Sequence, residues 1–146
     1  MAKELIINVL YVDDEDNNLI SFTATFRKKF NVFTAISAQE SDTILANHNI
    51  HVLITDQRMP VKGTELLVEV AKKYPNPTRI MLTAYAEDAD VKESEKNGYI
   101  DGIVEKPFDQ ELLEEFIEEG YNLFLQNIEQ QQRIFKLKNF DKNSKK

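Results

Sequence analysis

Five short apolar runs rich in β-branched residues alternate with longer stretches whose apolar residues recur at helical spacing. This alternation constrains the fold more than any other feature. The runs are 5–12, 31–36, 52–55, 78–82 and 99–104, the last interrupted by Asp101-Gly102. The stretches between them, 16–29, 37–47, 64–74 and 87–97, read as helices. A final helix opens at Asp109 and carries its apolar pattern as far as Phe135. Ser37-Ala38-Gln39-Glu40 is a capping box, Lys62-Gly63 a flexible turn, Pro75-Asn76-Pro77 a helix stop and Asn97-Gly98 a C-cap signal. Strand–helix alternation of this kind implies an α/β fold, with a parallel sheet covered by helices on both faces.

The strand order natural to such a chain is the flavodoxin-like 2-1-3-4-5, a doubly wound (βα)5 arrangement with an extended C-terminal helix. It sets the first and third strands side by side at the topological switch point, where ligands bind beyond the carboxyl ends of the strands. Both strands end in acid. Val52-Leu53-Ile54-Thr55 reads as a strand buried on both faces and delivers Asp56; the first delivers Asp13-Asp14-Glu15-Asp16. An aspartate commonly just ends a strand, and an acidic run is commonly a solvated loop. Brought together, three or more carboxylates would repel one another, and a hard dication such as Mg²⁺, which takes one or two carboxylates plus water, relieves that repulsion. The fourth strand ends in Thr83-Ala84, a hydroxyl beside a very small side chain. The fifth delivers Lys106-Pro107-Phe108, a cation facing the acids.

Composition narrows the function. The chain has 146 residues, enough for one core, and its net charge of −7, with no basic run before the last few residues, argues against nucleic acid as a partner. It has no cysteine, which removes disulfides, thiolate catalysis and cysteine-ligated metals. No leader pattern opens the chain and no apolar run approaches a bilayer span, so no membrane role and a cytoplasmic location are expected. His48 and His51 lie at the end of the third strand opposite Asp56 and are assigned no role.

Asp13-Asp14, Asp56 in a Thr-Asp-x-x-Met-Pro setting, Thr83-Ala84 and Lys106-Pro-Phe, in this order at successive strand ends, resemble the receiver (CheY-like) domains of bacterial two-component response regulators. The likeness covers about residues 5–120, leaving 121–146 as an extended helix or linker with a polar, lysine-rich tail expected to fray from Asn139. The wording around Asp56 and Thr83 is most similar to receivers attached to cyclic-di-nucleotide phosphodiesterase or other signalling output domains. The resemblance implies a non-enzymatic phosphoprotein in which Asp56 takes a phosphoryl group from a histidine kinase or phosphotransfer protein. Asp14 and Asp56 would ligate Mg²⁺ with the Arg58 backbone carbonyl, and Asp13 would act partly through water. Lys106 would stabilise the phosphoryl oxygens, Thr83 would hydrogen-bond one of them, and the Lys106–Pro107 bond would be cis.

Two features depart from that pattern. Receivers commonly carry Tyr or Phe three residues before the lysine, as a switch coupled to the threonine, and here the position is Ile103. The coupling would then run through loop shifts, Tyr85 or Tyr99. The last helix also runs past the domain, where Ile117, Tyr121, Phe124, Ile128 and Phe135 approximate a heptad seam broken by Gln131. That suggests a homodimer or a link to another domain; folding back on the chain's own domain is the simpler alternative. The competing functions are a non-phosphorylated pseudo-receiver scaffold and a small phosphatase or nucleotide-binding enzyme, the latter lacking a Gly-rich phosphate loop or an Asp-x-Asp pair.

Overall fold

In the computed structural model, residues 6–144 are described, with side chains as far as 139. The element order is β1 (Asn8–Val12), α1 (Asp16–Phe26), β2 (Asn31–Ala35), α2 (Ala38–Asn47), β3 (Val52–Thr55), α3 (Gly63–Lys73), β4 (Thr78–Thr83), α4 (Ala89–Lys96), β5 (Gly102–Glu105) and α5 (Gln110–Ser144). All four strand pairings are parallel, and the sheet order is β2-β1-β3-β4-β5, as the alternation predicts.

Side chains alternate across each strand, so the sheet carries two separate cores. Val9, Tyr11, Val52, Ile54, Ile80, Leu82 and Val104 pack under Leu19, Phe22 and Phe26 of α1 and Leu113 and Ile117 of α5. Leu10, Val12, Leu53 and Met81 face the other way, onto Leu45, Leu66, Leu67, Val70 and Val91 of α2, α3 and α4. Ser37 Oγ accepts from Glu40 N–H, and Asp109 accepts from Glu111 N–H, so both expected caps form.

Several boundaries differ from expectation. Leu5 lies outside the described residues, and β1 starts at Asn8. Helix α1 stops at Phe26 rather than near Lys29, where Lys29 N–H bonds the Phe26 carbonyl three residues back and tightens the last turn. Helix α4 starts two residues later than expected, since Asp88 accepts from Asp90 N–H and Val91 N–H and is its cap. The fifth strand begins at Gly102, not Tyr99. The chain turns at Gly98 (φ +84°), and the Arg79 guanidinium holds the carbonyls of Gly98 and Tyr99. Gly63 is no loose turn. It is the buried first residue of α3, and a Cβ there would overlap the Asp56 carbonyl oxygen and stand 3.0 Å from its carbon and 3.1 Å from Gln57 Cα.

Helix α5 is docked only along its first part. At Gly120 it comes so near the sheet that a Cβ would lie 3.2 Å from Val52 and 3.3 Å from Thr78, whose hydroxyl donates to the Gly120 carbonyl at 2.5 Å. The last tight contacts are Phe124, edge-on to the His51 ring, and Asn127, whose amide donates to the Asn76 carbonyl. Beyond them Ile134, Phe135 and Leu137 are exposed, Phe135 by 65%. The helix is continuous to Ser144, past Asn139 where the tail is expected to fray.

Candidate functional site

Strand register carries Asp13 and Asp56 to the same edge. Val12 pairs with Thr55, and the ladder runs one step further, with Asp56 N–H donating to the Val12 carbonyl and Asp13 N–H to the Ala35 carbonyl. On the other side Thr83 pairs with Glu105, and Lys106 N–H donates to the Thr83 carbonyl. The ends of β1, β3 and β5, with β4 between the last two, therefore present Asp13, Asp56 and Lys106 together. Lys106 Nζ lies 3.3 Å from Asp56 Oδ2 and 3.5 Å from Asp13 Oδ2. The Lys106 and Asp56 side chains are 24% and 16% exposed, whereas Asp13 is wholly buried. The Lys106–Pro107 peptide bond is cis, as the resemblance implies.

The three carboxylates do not form one cluster. Asp13 is closed in by donors: Tyr11 Oη at 2.6 Å, Asn18 Nδ2 at 3.0 Å and Lys106 on Oδ2, and Glu15 N–H at 3.0 Å on Oδ1. Asp14 is exposed and shares a shallow cavity with Gln57, Arg58 and Met59. Asp56 Oδ1 accepts from Gln57 N–H at 2.8 Å, while Oδ2 faces the lysine.

A hydrated dication suits this donor set. Among the described residues no three acidic or histidine side chains converge as a closed cage. An ion that keeps most of its waters needs only one or two carboxylates and hard oxygens. Asp14 and Asp56 could supply those, and among the described residues the Arg58 carbonyl takes no backbone hydrogen bond, whereas the Gln57 carbonyl is committed to Met59 N–H and Gly63 N–H. Asp13, by contrast, is fully buried behind its donors, so its place in such a site is behind the ion's own waters rather than at the surface.

The loops around the pair are tightly set. Gln57 is buried and clasps α3, its amide oxygen accepting from Thr64 N–H and its amide nitrogen donating to Thr64 Oγ1. The Thr83 hydroxyl accepts from Tyr85 N–H at 3.0 Å, so it is held in its own loop. The Arg58 guanidinium lies 3.4 Å above the centre of the Tyr85 ring, joining the loop after β3 to the loop after β4. Ile103, half-buried, packs into the core on the α2–α3–α4 face. His51 accepts from Asn8 N–H on Nδ1 and meets Tyr121 and Phe124 edge-on, at the far end of the sheet from Asp56.

Tyr11 reads in the sequence as one more apolar residue of the first strand, but its hydroxyl belongs to the site. A signal was present: residues two apart on a strand share a face, so a tyrosine at 11 points the same way as Asp13. Its phenol is pushed far above the usual tyrosine range, first by burial, then by the hydrogen bond to Asp13 and by the charges of Asp13, Asp56 and Glu15.

Comparison with known proteins agrees with this arrangement. The chain is 33% identical over 119 residues to a chemotaxis protein CheY homolog of Campylobacter jejuni, covering 77% of this chain and 91% of that protein. It is 36% identical over 84 residues to the hydrogenase transcriptional regulatory protein HoxA of Cupriavidus necator, spanning only 17% of HoxA's length. A solved receiver domain protein (CheY-like) from Methanospirillum hungatei shares 26% identity, 84% of this chain and 99% of its own, with a TM-score of 0.76. The sequence model of the response regulator receiver domain matches residues 9–118, and with Asp13, Asp56, Thr83 and Lys106 gathered at one edge of the 2-1-3-4-5 sheet, the chain belongs to that family.

Proposed function

We propose that the chain is a phospho-acceptor signalling module. An Asp56 carboxylate oxygen attacks the phosphorus of a phosphohistidine on a histidine kinase or phosphotransfer protein; the P–N bond breaks, the imidazole keeps its electron pair and takes a proton, and an acyl phosphate remains on Asp56. The observation that carries this reading is Lys106 Nζ poised between Asp56 and Asp13 at the sheet's carboxyl edge. Asp14, Asp56 and the Arg58 carbonyl would hold Mg²⁺, which offsets negative charge as phosphate approaches carboxylate. Lys106 then follows the new phosphoryl oxygens. The Thr83 hydroxyl turns from Tyr85 N–H to donate to one of them, which draws the Tyr85 loop and, through the stack, Arg58. With Ile103 in place of an aromatic switch, that stack is the path left for the readout.

Catalysis is limited to the chain's own phosphorylation and dephosphorylation. The module works in the cytoplasm through partner binding, or through self-association of α5. Tyr121 and Phe124 of the expected seam pack on His51 instead, so the surface left for self-association is the part of α5 beyond Asn127, where Ile134, Phe135 and Leu137 are exposed. Among the described residues no helix is long and apolar enough to cross a membrane.

Incubation with Mg²⁺ and acetyl phosphate, or with beryllium fluoride as an acyl-phosphate mimic, tests the reading. One added phosphoryl group in the intact mass, absent in Asp56→Asn and in chelator, is the expected result. No modification and no mimic binding would leave the pseudo-receiver scaffold as the better account.

A further inference from the structure

We infer that Tyr11 is a positioning residue: its phenol holds Asp13 as a fixed, already satisfied counter-charge, so that Lys106 is free to leave Asp13 for the phosphoryl group on Asp56. The inference deepens the phospho-acceptor reading and rests on it.

Packing alone does not call for a hydroxyl at this position. The Tyr11 ring is stacked on Phe22 at 4.4 Å inside an apolar core, where phenylalanine would fill the same space. A buried hydroxyl costs free energy unless it is bonded, so its presence points to its partner. That partner is Asp13 Oδ2, at 2.6 Å, the short distance of a charge-assisted bond.

Three groups compete for that one oxygen. The phenol is nearest, Asn18 Nδ2 follows at 3.0 Å, and Lys106 Nζ is the most distant at 3.5 Å. The lysine thus stands farthest from the oxygen of the three, and it is the one that must move. When it swings toward an acyl phosphate, Asp13 remains a buried carboxylate with donors from Tyr11, Asn18 and Glu15 N–H still in place. Without the phenol, Asp13 would hold Lys106 more tightly and would be a stronger acceptor for any cation brought near it.

The test is Tyr11→Phe in the intact chain, with two readings that should move in opposite directions. Mg²⁺ affinity, measured by calorimetry without phosphodonor, is expected to rise about threefold or more. The rate of acyl-phosphate formation from acetyl phosphate at saturating Mg²⁺ is expected to fall roughly tenfold, the effect of one charge-assisted hydrogen bond. A merely structural defect would weaken both. In an Asp13→Asn background the phenol should lose its influence on both, which a double-mutant cycle reads directly. Both values within twofold of wild type, or both falling together, would overturn the inference. If wild type takes no phosphoryl group but Tyr11→Phe still binds Mg²⁺ more tightly, the phosphotransfer reading falls and the hold on Asp13 stands. If wild type takes none and Mg²⁺ affinity is also unchanged, both fall.

Discussion

Gly63→Ala is a substitution for which two ordinary rules give opposite signs, and the structure decides between them. Gly63 is the first residue of α3 and its φ is not in the left-handed region. Replacing such a helical glycine by alanine normally stabilises, by about 0.4–1 kcal/mol, through the smaller entropy of the unfolded chain. Here the new methyl would overlap the Asp56 carbonyl oxygen and crowd its carbon and Gln57 Cα, all backbone atoms. None can rotate away, so the start of α3 and the loop after β3 must move apart. Overpacking of this kind costs about 1–3 kcal/mol. The separation also pulls at the paired bonds between Gln57 and Thr64, one of them to a backbone amide and both buried, each worth about 1 kcal/mol. The net expectation is a loss of about 2–3 kcal/mol, or roughly 10 °C in the unfolding midpoint. Urea denaturation followed by far-UV circular dichroism gives the value, with an unchanged slope showing that the unfolded state is the same. Because the moved carbonyl belongs to the phospho-acceptor, acetyl phosphate labelling should fall as well. An alanine variant as stable as wild type, or more stable, would refute the close-approach argument.

Three further outcomes follow from the site and its surroundings. Arg58→Ala removes the cation from the Tyr85 face and opens the loop beside Asp56, so acyl-phosphate decay after donor removal should speed up several-fold; an unchanged lifetime would mean the stack does not shield the site. Burial holds the His51 pKa below its usual value near 6.5, so the unfolded chain takes up the proton more readily. Stabilisation from the neutral ring is therefore complete above about pH 6.5 and is lost as pH falls from there through the lower folded value. The stability difference between wild type and His51→Gln, from denaturant curves at several pH values, should shrink over that range and stay flat above it. Phe135→Asp places a charge in the α5 seam and should shift any dimer seen by sedimentation fully to monomer, with the receiver core's unfolding midpoint unmoved.

Much of the fold is legible from local features. The strand order follows from regular alternation, and Asp13, Asp56, Thr83 and Lys106 share an edge because each stands one or two steps past the end of an apolar run. The caps at Ser37 and Asp109 are equally local, each a side chain meeting an N–H two or three residues on. What escapes the sequence is set by contacts between distant segments. Tyr99 has strand-forming character, but its carbonyl is taken by Arg79, twenty residues earlier. Gly63 reads as a turn residue because nothing near it reveals that the Asp56 carbonyl lies against it. Asp14 is adjacent to Asp13 and chemically identical, yet one is exposed and the other sealed, since Asp13 prolongs the ladder onto Ala35 while Asp14 lies in the bend beyond it. Tyr11 is hidden for a different reason: its ring behaves as core, and only its last atom belongs to the site.

The hold on Gly120 has a mechanical consequence. Thr78 and the missing side chain pin α5 against β4 near the middle of the sheet's lower edge, and the helix runs on from Phe124 to Ser144. At about 1.5 Å per residue the projecting part is roughly 30 Å long. Gly120 is then a fulcrum and the rest a lever arm: a tilt of about 5° at the docked end, too small to break any of its packing, carries the far end by about 3 Å. A sub-ångström adjustment under α5 is read at the end of the helix as a displacement large enough to make or lose a side-chain contact.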